Sequence, residues 1–377
     1  MKNIYLDNAS TTEIRSEVID VMIEILQKNY GNPSSTYALG RSAKATIETA
    51  RKQIAKLLNA TSQEIIFTSS ATEANNWILK NSVKNLKIQR IITSKIEHHS
   101  VLHTATALQT QYRIELVFVD LYPNGTINRF HLEELLKDQK PTLVSLMYVN
   151  NEIGTILDIE KTGTLARKYN AYFHSDTVQA IGKIPIDLKK LNVDFIVGTA
   201  HKFHGPKGIG FIFARKGILL KPLFFGGNQE KGIRAGTESV HQIVGLAKAL
   251  EISHENLEAE KTHILSLKKY LTEQLKNNFP NYKINGDSQN GIYNIINTQL
   301  PFSENITPTI LFHLDMQGIF VSRGSACQSG SVLPSHVLKE ILPENEIGKP
   351  SLRISLGHSN TKEEIDFFIE ALRSLRN

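Results

Sequence analysis

Short apolar runs alternate with longer stretches whose apolar residues recur every three or four positions, from about residue 45 to 215. Ala43 to Leu58 reads as a helix and Glu64 to Thr68 (EIIFT) as a short buried strand. Ala71 to Asn85 is again helical, Arg90 to Thr93 strand-like, and Ile114 to Val119 and Thr142 to Tyr148 are further strands. Ile159 to Tyr169 carries the helical period. Three more strands follow, Ala171 to Ser175, Asp194 to Thr199 and Gly208 to Ala214. Strands of this length separated by helices predict a mostly parallel sheet with helices on its faces.

The pattern changes after Ser239. From there to Asn277 the chain is rich in Ala, Glu, Lys and Leu at helical spacing, with a break near His254 and Glu255, which predicts two long helices or one bent helix. Residues 280–377 mix short strands (GIYNIINT, LRISL) with helices (ITPTILFHLDMQ, KEEIDFFIEALRSL). The expected organisation is α/β: a large domain over 15–255, and a smaller α+β domain made of 256–377 joined by 1–14.

Composition narrows the class. Hydrophobic residues make up 41% and charged residues 21%, so disordered and collagen-like chains are excluded. A single cysteine, Cys327, permits neither an internal disulfide nor a zinc-type cysteine cluster, which suits a reducing, cytoplasmic setting. MKNIYLDNASTT lacks an apolar run of signal-peptide length, and no apolar run is long enough for a membrane span. The formal charge is +6, yet the 43 Lys and Arg are spread along the chain without a basic run. Ordinary solubility accounts for that, and no direct nucleic-acid role is expected.

Three segments carry candidate chemistry. In TSSATEANN, after the strand EIIFT, Ser70 and Glu73 have capping-box spacing, so a helix starts there. A helix start rich in hydroxyls either only caps or holds an anion. In HSDTVQAIGK, Asp176 closes a strand at the sheet edge where α/β proteins bind ligands. It either caps the next turn or meets a cation, because a bare buried carboxylate is costly. In GTAHKFHGPKGIG, Lys202 also follows a strand; a lysine there is either solvated or, partly desolvated, an amine nucleophile. Together a lysine, an acid and a phosphate cup are what pyridoxal 5′-phosphate (PLP) requires. The pairs His99/His103 and His201/His204 have helical ligand spacing but no obvious third ligand, so no metal is expected. The cluster Gly205, Gly208 and Gly210 precedes a strand instead of opening a helix, the wrong context for a dinucleotide loop.

Nearly end to end, the chain resembles the cysteine desulfurases of the NifS/IscS type, fold type I PLP enzymes related to class V aminotransferases. The resemblance rests on YLDNASTT, GNPSS, TSSATEANN, IEHHSVL, VNNEIGT, HSDTVQAIGK, TAHKFHGPKGIG, GIRAGTE, SRGSACQSGS and LRISLGH, in that order. It implies that Lys202 carries the cofactor, Asp176 pairs with its ring nitrogen and Gln179 donates to its ring hydroxyl. His98 would stack on the ring and move protons, and Asn151 would sit on the hydroxyl side near the substrate. Ser70, Ala71, Thr72, Thr199 and His201 would hold the phosphate, with Thr237 reaching it across a homodimer interface. Arg353 would clamp the substrate carboxylate, since a guanidinium fork matches it in two places. The implied reaction converts L-cysteine to L-alanine and leaves the sulfur on Cys327 as a persulfide. An acceptor protein, an iron–sulfur scaffold or a tRNA-thiolation enzyme, would then take it. A selenocysteine lyase, an aminotransferase or a non-catalytic relative are the alternatives.

The setting of Cys327 agrees with that chemistry. Ser325, Ser329, Gly324 and Gly330 around it read as a loop, whereas a structural cysteine is usually a buried hydrophobe. A sulfur nucleophile must be deprotonated and accessible. Several positions depart from the common pattern: Ser70 and Asn228 stand where glycine is usual, Tyr37 for histidine, Ser10 for alanine and Arg323 for serine. Arg323 places a positive charge four residues from Cys327.

Overall fold

The computed structural model describes residues 3–324 and 334–375. In chain order the strands are β1 (Ile4–Tyr5), β2 (Ile65–Thr68), β3 (Arg90–Thr93), β4 (Glu115–Phe118), β5 (Thr142–Ser145), β6 (Tyr172–Asp176), β7 (Phe195–Thr199) and β8 (Gly210–Ala214). β9 (Lys283–Asn285), β10 (Ile295–Gln299), β11 (Ile319–Phe320) and β12 (Ser351–Ser355) follow. The helices are α1 (Ser16–Lys28), α2 (Ala38–Leu57), α3 (Ala71–Lys84), α4 (His99–Tyr112), α5 (Arg129–Leu136) and α6 (Ile159–Lys168). After them come α7 (Val240–Glu255), α8 (Leu257–Asn278), α9 (Ile310–Asp315), α10 (His336–Ile341) and α11 (Lys362–Ser374).

Among the described residues, a seven-stranded sheet runs in the order β2-β8-β7-β6-β5-β3-β4. It is parallel from β7 to β4, while β8 runs antiparallel to both β2 and β7. Alternation along the strands sorts side chains onto two covered faces. Ile65, Phe67, Ile92, Val144, Phe173, Ile196, Phe211 and Phe213 pack with residues of α1, α2, α6 and α7. Their neighbours Ile66, Ile91, Leu143, Phe195, Val197 and Ile212 pack on the other face with Trp77, Ile78, Val101 and Ala105 of α3 and α4. Both faces are apolar, which is why these strands read as runs and not as alternations.

A separate apolar cluster joins Ile4 and Leu6 to one face of α8 (Ile264, Leu267, Leu271, Leu275) and to Leu352, Ile354, Ile365, Phe368 and Leu372. Here β9, β10 and β12 form an antiparallel sheet, and β1 pairs with β11. The chain start is stitched to its end: Ser355 N–H donates to Leu6 O at 2.7 Å and Ala9 N–H to Ser355 Oγ at 2.8 Å. The expected break between two long helices falls at Asn256.

Some elements are shorter than the pattern suggests. β5 stops at Ser145 because its β3 ladder ends at Val144; beyond it Leu146 N–H still donates to His174 O and Tyr148 N–H to Asp176 O. β8 begins at Gly210, since Gly208 has φ +83 and turns the chain. The helix expected over ITPTILFHLDMQ is confined to Ile310–Asp315: Pro308 has no N–H to give to the turn before it, although Thr307 keeps helical backbone angles.

Candidate active site

β6 ends at Asp176 and β7 at Thr199; the two are parallel, with Asp176 beside Val197. Both therefore finish at the sheet's carboxyl edge, where open α/β sheets place ligands. A single turn, Ala200–Lys202, brings Lys202 directly after β7. Lys202 Nζ donates to Ala9 O at 2.7 Å and Ser10 O at 2.6 Å. Behind it the ammonium of buried Lys183 donates to Lys202 O at 2.9 Å, and burial pushes Lys183 down to about 7.

Asp176 is 6% exposed and accepts from Asn75 Nδ2 at 2.7 Å and Val178 N–H at 3.0 Å. It thus holds the following turn and also borders a cavity. Asn75 Nδ2 donates in addition to Ser100 Oγ at 2.9 Å, which lies 2.8 Å from His98 Nδ1. His98 Nδ1 accepts the Ser100 N–H at 3.1 Å, so the neutral ring carries its proton on Nε2. Burial lowers His98 below its ordinary pKa, and the nearby Asp176 charge only partly opposes this.

Ser70 caps α3: its side chain accepts the Glu73 N–H at 3.1 Å. The reciprocal arm of the capping box closes one residue earlier than its spacing suggests, with Glu73 Oε2 accepting from Ser69 N–H at 2.8 Å. Arg234 Nε holds the other Glu73 oxygen at 2.9 Å. Ala71 and Thr72, the first helical residues, line the cavity. A Cβ at Gly210 would stand 3.0 Å from Ser70 C and 3.2 Å from Ala71 N, so glycine there keeps this helix start clear.

The cavity holds about 400 Å³. Ser70, Ala71, Thr72, His98, Asn151, Asp176, Gln179, Thr199, His201, Lys202 and Arg353 all border it. Thr237 is exposed and stands outside that lining. Cys327 lies outside the described residues. Gln179 Nε2 donates to Ala9 O at 2.8 Å and keeps a second N–H, while its Oε1 is buried without a partner. His201 is pushed down to about 3 by burial and nearby lysines and is therefore a neutral donor. Burial of Arg353 is nearly complete, at 1% exposed, and its fork is already engaged by Asp7 Oδ1 (2.9 Å), Ser10 Oγ (2.6 Å) and Asn151 O (2.9 Å).

Sequence reasoning gave no site role to Ala9, Ser10, Thr11, Ser100 or Lys207, which also line the cavity. The signal for the first three was present in YLDNASTT, a Ser/Thr-rich stretch with neither helical nor strand period. The histidines His99 and His103 stack at 4.8 Å, and among the described residues no group of His, Cys, Asp or Glu is placed to hold a metal.

The donor set fits PLP. A buried carboxylate held by two neutral donors suits a cationic ring nitrogen, and an amine stands at the next strand end. A helix N-terminus kept open by Gly210 suits the phosphate, and the unpartnered Gln179 Oε1 suits a ring hydroxyl.

The sequence model of the family described as Aminotransferase class-V matches residues 4–368. The chain is 42% identical to the cysteine desulfurase IscS of Methanosarcina thermophila, over 100% of this chain and 93% of that protein. A solved "NifS-like protein" superposes with a TM-score of 0.91 at 36% identity, covering 99% of each chain. A structure described as "SspA in complex with cysteine" matches with a TM-score of 0.81 at 31% identity, over 95% of this chain and 100% of that one.

Proposed function

This chain belongs to the aminotransferase class-V family, and we propose that it is a PLP-dependent cysteine desulfurase that turns L-cysteine into L-alanine and carries the sulfur away on Cys327. The observation that supports this most is the convergence of Lys202, Asp176, His98, the α3 start and Arg353 on one cavity. Kinship with desulfurases 38–42% identical along the whole chain supports it further.

Bound here, PLP would supply an electron sink, linked through the substrate's amino nitrogen, for electrons released at the α-carbon. Lys202 would hold the cofactor covalently, Asp176 its ring nitrogen, and Ser70, Ala71, Thr72, Thr199 and His201 its phosphate. Arg353 N–H groups receive the substrate carboxylate, with Asn151 beside it. Lys202 Nζ would take the substrate's α-proton, and the carbonyls of Ala9 and Ser10 keep the Lys202 amine at the sheet edge. His98 presents Nε2–H to the cavity and hands a proton to the carbon skeleton. The Cys327 thiolate attacks the substrate sulfur: an S–S bond forms, the C–S bond breaks, and its electron pair stays with carbon. That carbon would take a proton, the α-carbon would recover the one that Lys202 removed, and alanine would leave with Cys327 holding the sulfur as a persulfide.

Several finer points belong to the same proposal. A homodimer would let exposed Thr237 reach the partner subunit's cofactor phosphate. An iron–sulfur scaffold or tRNA-thiolation protein would accept the sulfur. The cytoplasm is the proposed location; among the described residues no helix is long and apolar enough to cross a membrane.

The test is intact-mass analysis after adding L-cysteine, paired with an alanine assay. One extra sulfur on Cys327 is expected, and Cys327→Ser should abolish alanine formation. A Cys327→Ser enzyme that still makes alanine from cysteine at the parent rate would sink the reading.

A further inference from the structure

Arg353 poses a counting problem that concerns substrate binding. A guanidinium offers a carboxylate two two-point edges, Nε–H with Nη2–H and Nη1–H with Nη2–H, and both edges use Nη2. Nη2 has two hydrogens. One is given to Asp7 Oδ1 at 2.9 Å and the other to Ser10 Oγ at 2.6 Å. Nη1 donates to Asn151 O at 2.9 Å, while Nε is buried without a partner. The fork therefore cannot take a carboxylate on two points until Nη2 gives up one of its acceptors.

The two acceptors are not equal. Asp7 is charged, forms the ion pair with Arg353 and is itself held by the Ser322 hydroxyl at 2.9 Å. Ser10 is neutral and lines the cavity, whereas Asp7 does not. A neutral hydroxyl yields to a carboxylate more readily than a paired carboxylate does. Nε–H has no partner and Nη1 keeps one of its two N–H groups, so either edge is completed once Nη2 releases one acceptor.

We propose that Ser10 is an affinity-setting residue: its hydroxyl occupies the Arg353 fork and must be displaced by the carboxylate of the amino-acid substrate. This rests on the reading of Arg353 as the carboxylate clamp. The backbone of the same residue accepts from Lys202 Nζ, so one residue touches both the amine and the guanidinium. Ser10 thereby sets the concentration at which substrate engages, trading affinity for a fork held in place between turnovers.

The test uses the PLP-loaded protein and two probes that differ only by the carboxylate, L-alanine and ethylamine. Binding is followed through the absorbance of the bound cofactor. Ser10→Ala should bind L-alanine about tenfold more tightly, the scale of one hydrogen bond to a charged group, with ethylamine affinity as in the parent. Ser10→Thr, which retains the hydroxyl, should keep the parent value for L-alanine. A Ser10→Ala protein that binds L-alanine equally or more weakly overturns the proposal, as does a Thr variant that tightens like the alanine one. Arg353→Lys separates the two levels. If it weakens L-alanine but not ethylamine, the clamp stands and only the Ser10 result is at issue. If it leaves both unchanged, the clamp itself falls.

Discussion

Glu97 is a carboxyl with almost no exposed surface, one residue before His98. Its Oε1 accepts from Met147 N–H at 2.8 Å and Ser94 Oγ at 3.1 Å, while Oε2 is buried without a partner. Burial, reinforced by the charge of Asp176, pushes its pKa from the ordinary 4.5 up to about 8. Below about pH 4.5 the folded and unfolded chains both hold this proton. Between about 4.5 and 8 the unfolded chain releases it and the folded chain keeps it, so stability falls as pH rises; above about 8 the loss is complete. At about 1.4 kcal/mol per pH unit the full loss is on the order of 5 kcal/mol. Glu97→Gln keeps the shape of the protonated acid and has nothing to ionise. It should abolish this slope and exceed the parent's stability most at the alkaline end. The assay is urea unfolding of the PLP-loaded parent and variant across about pH 5 to 8, reading the difference between them. A difference that stays constant with pH would refute the claim that a buried neutral acid sits here.

Two other perturbations test the frame and the site. Glu230→Ala strips Arg51, 3% exposed, of a two-point partner at 2.6 and 2.7 Å and leaves the Phe67 N–H without its acceptor. The expected loss is about 3–5 kcal/mol in urea unfolding, and a loss below about 1 kcal/mol would contradict it. Asp176→Asn removes the charge proposed to meet the cofactor ring nitrogen while its neutral neighbours can still bond. Cofactor affinity, titrated by absorbance, should drop about tenfold or more, and an unchanged affinity would remove Asp176 from that role.

Much of this molecule was readable from the chain because local pattern and edge position do most of the work. Asp176 and Lys202 each follow an apolar run, and a parallel sheet must deliver two such positions to the same edge. The limits were of two kinds. β8 runs antiparallel to its neighbours, which a short apolar run cannot announce, and Pro308 trims a helix whose apolar spacing continues past it. The partners of Arg353 were hidden for a different reason. Asp7 and Ser10 lie more than 340 positions away in sequence, and only the pairing of the chain's two ends makes them neighbours. Likewise Gln179 was legible as a site residue, but what its amide has left to offer depends on Ala9 O, again from the far end.

That stitching of the earliest residues to the last strand has a biosynthetic consequence. The carbonyls that steady Lys202 precede the seven-stranded sheet in the chain, and the strand that anchors them, with its Ser355 hydroxyl, is synthesised 346 residues after Ala9. Contacts of such separation form late and slowly. Until β12 has been made, the residues that steady Lys202 lack their anchor, so the centre is organised only after the seven strands of the large sheet have all been synthesised.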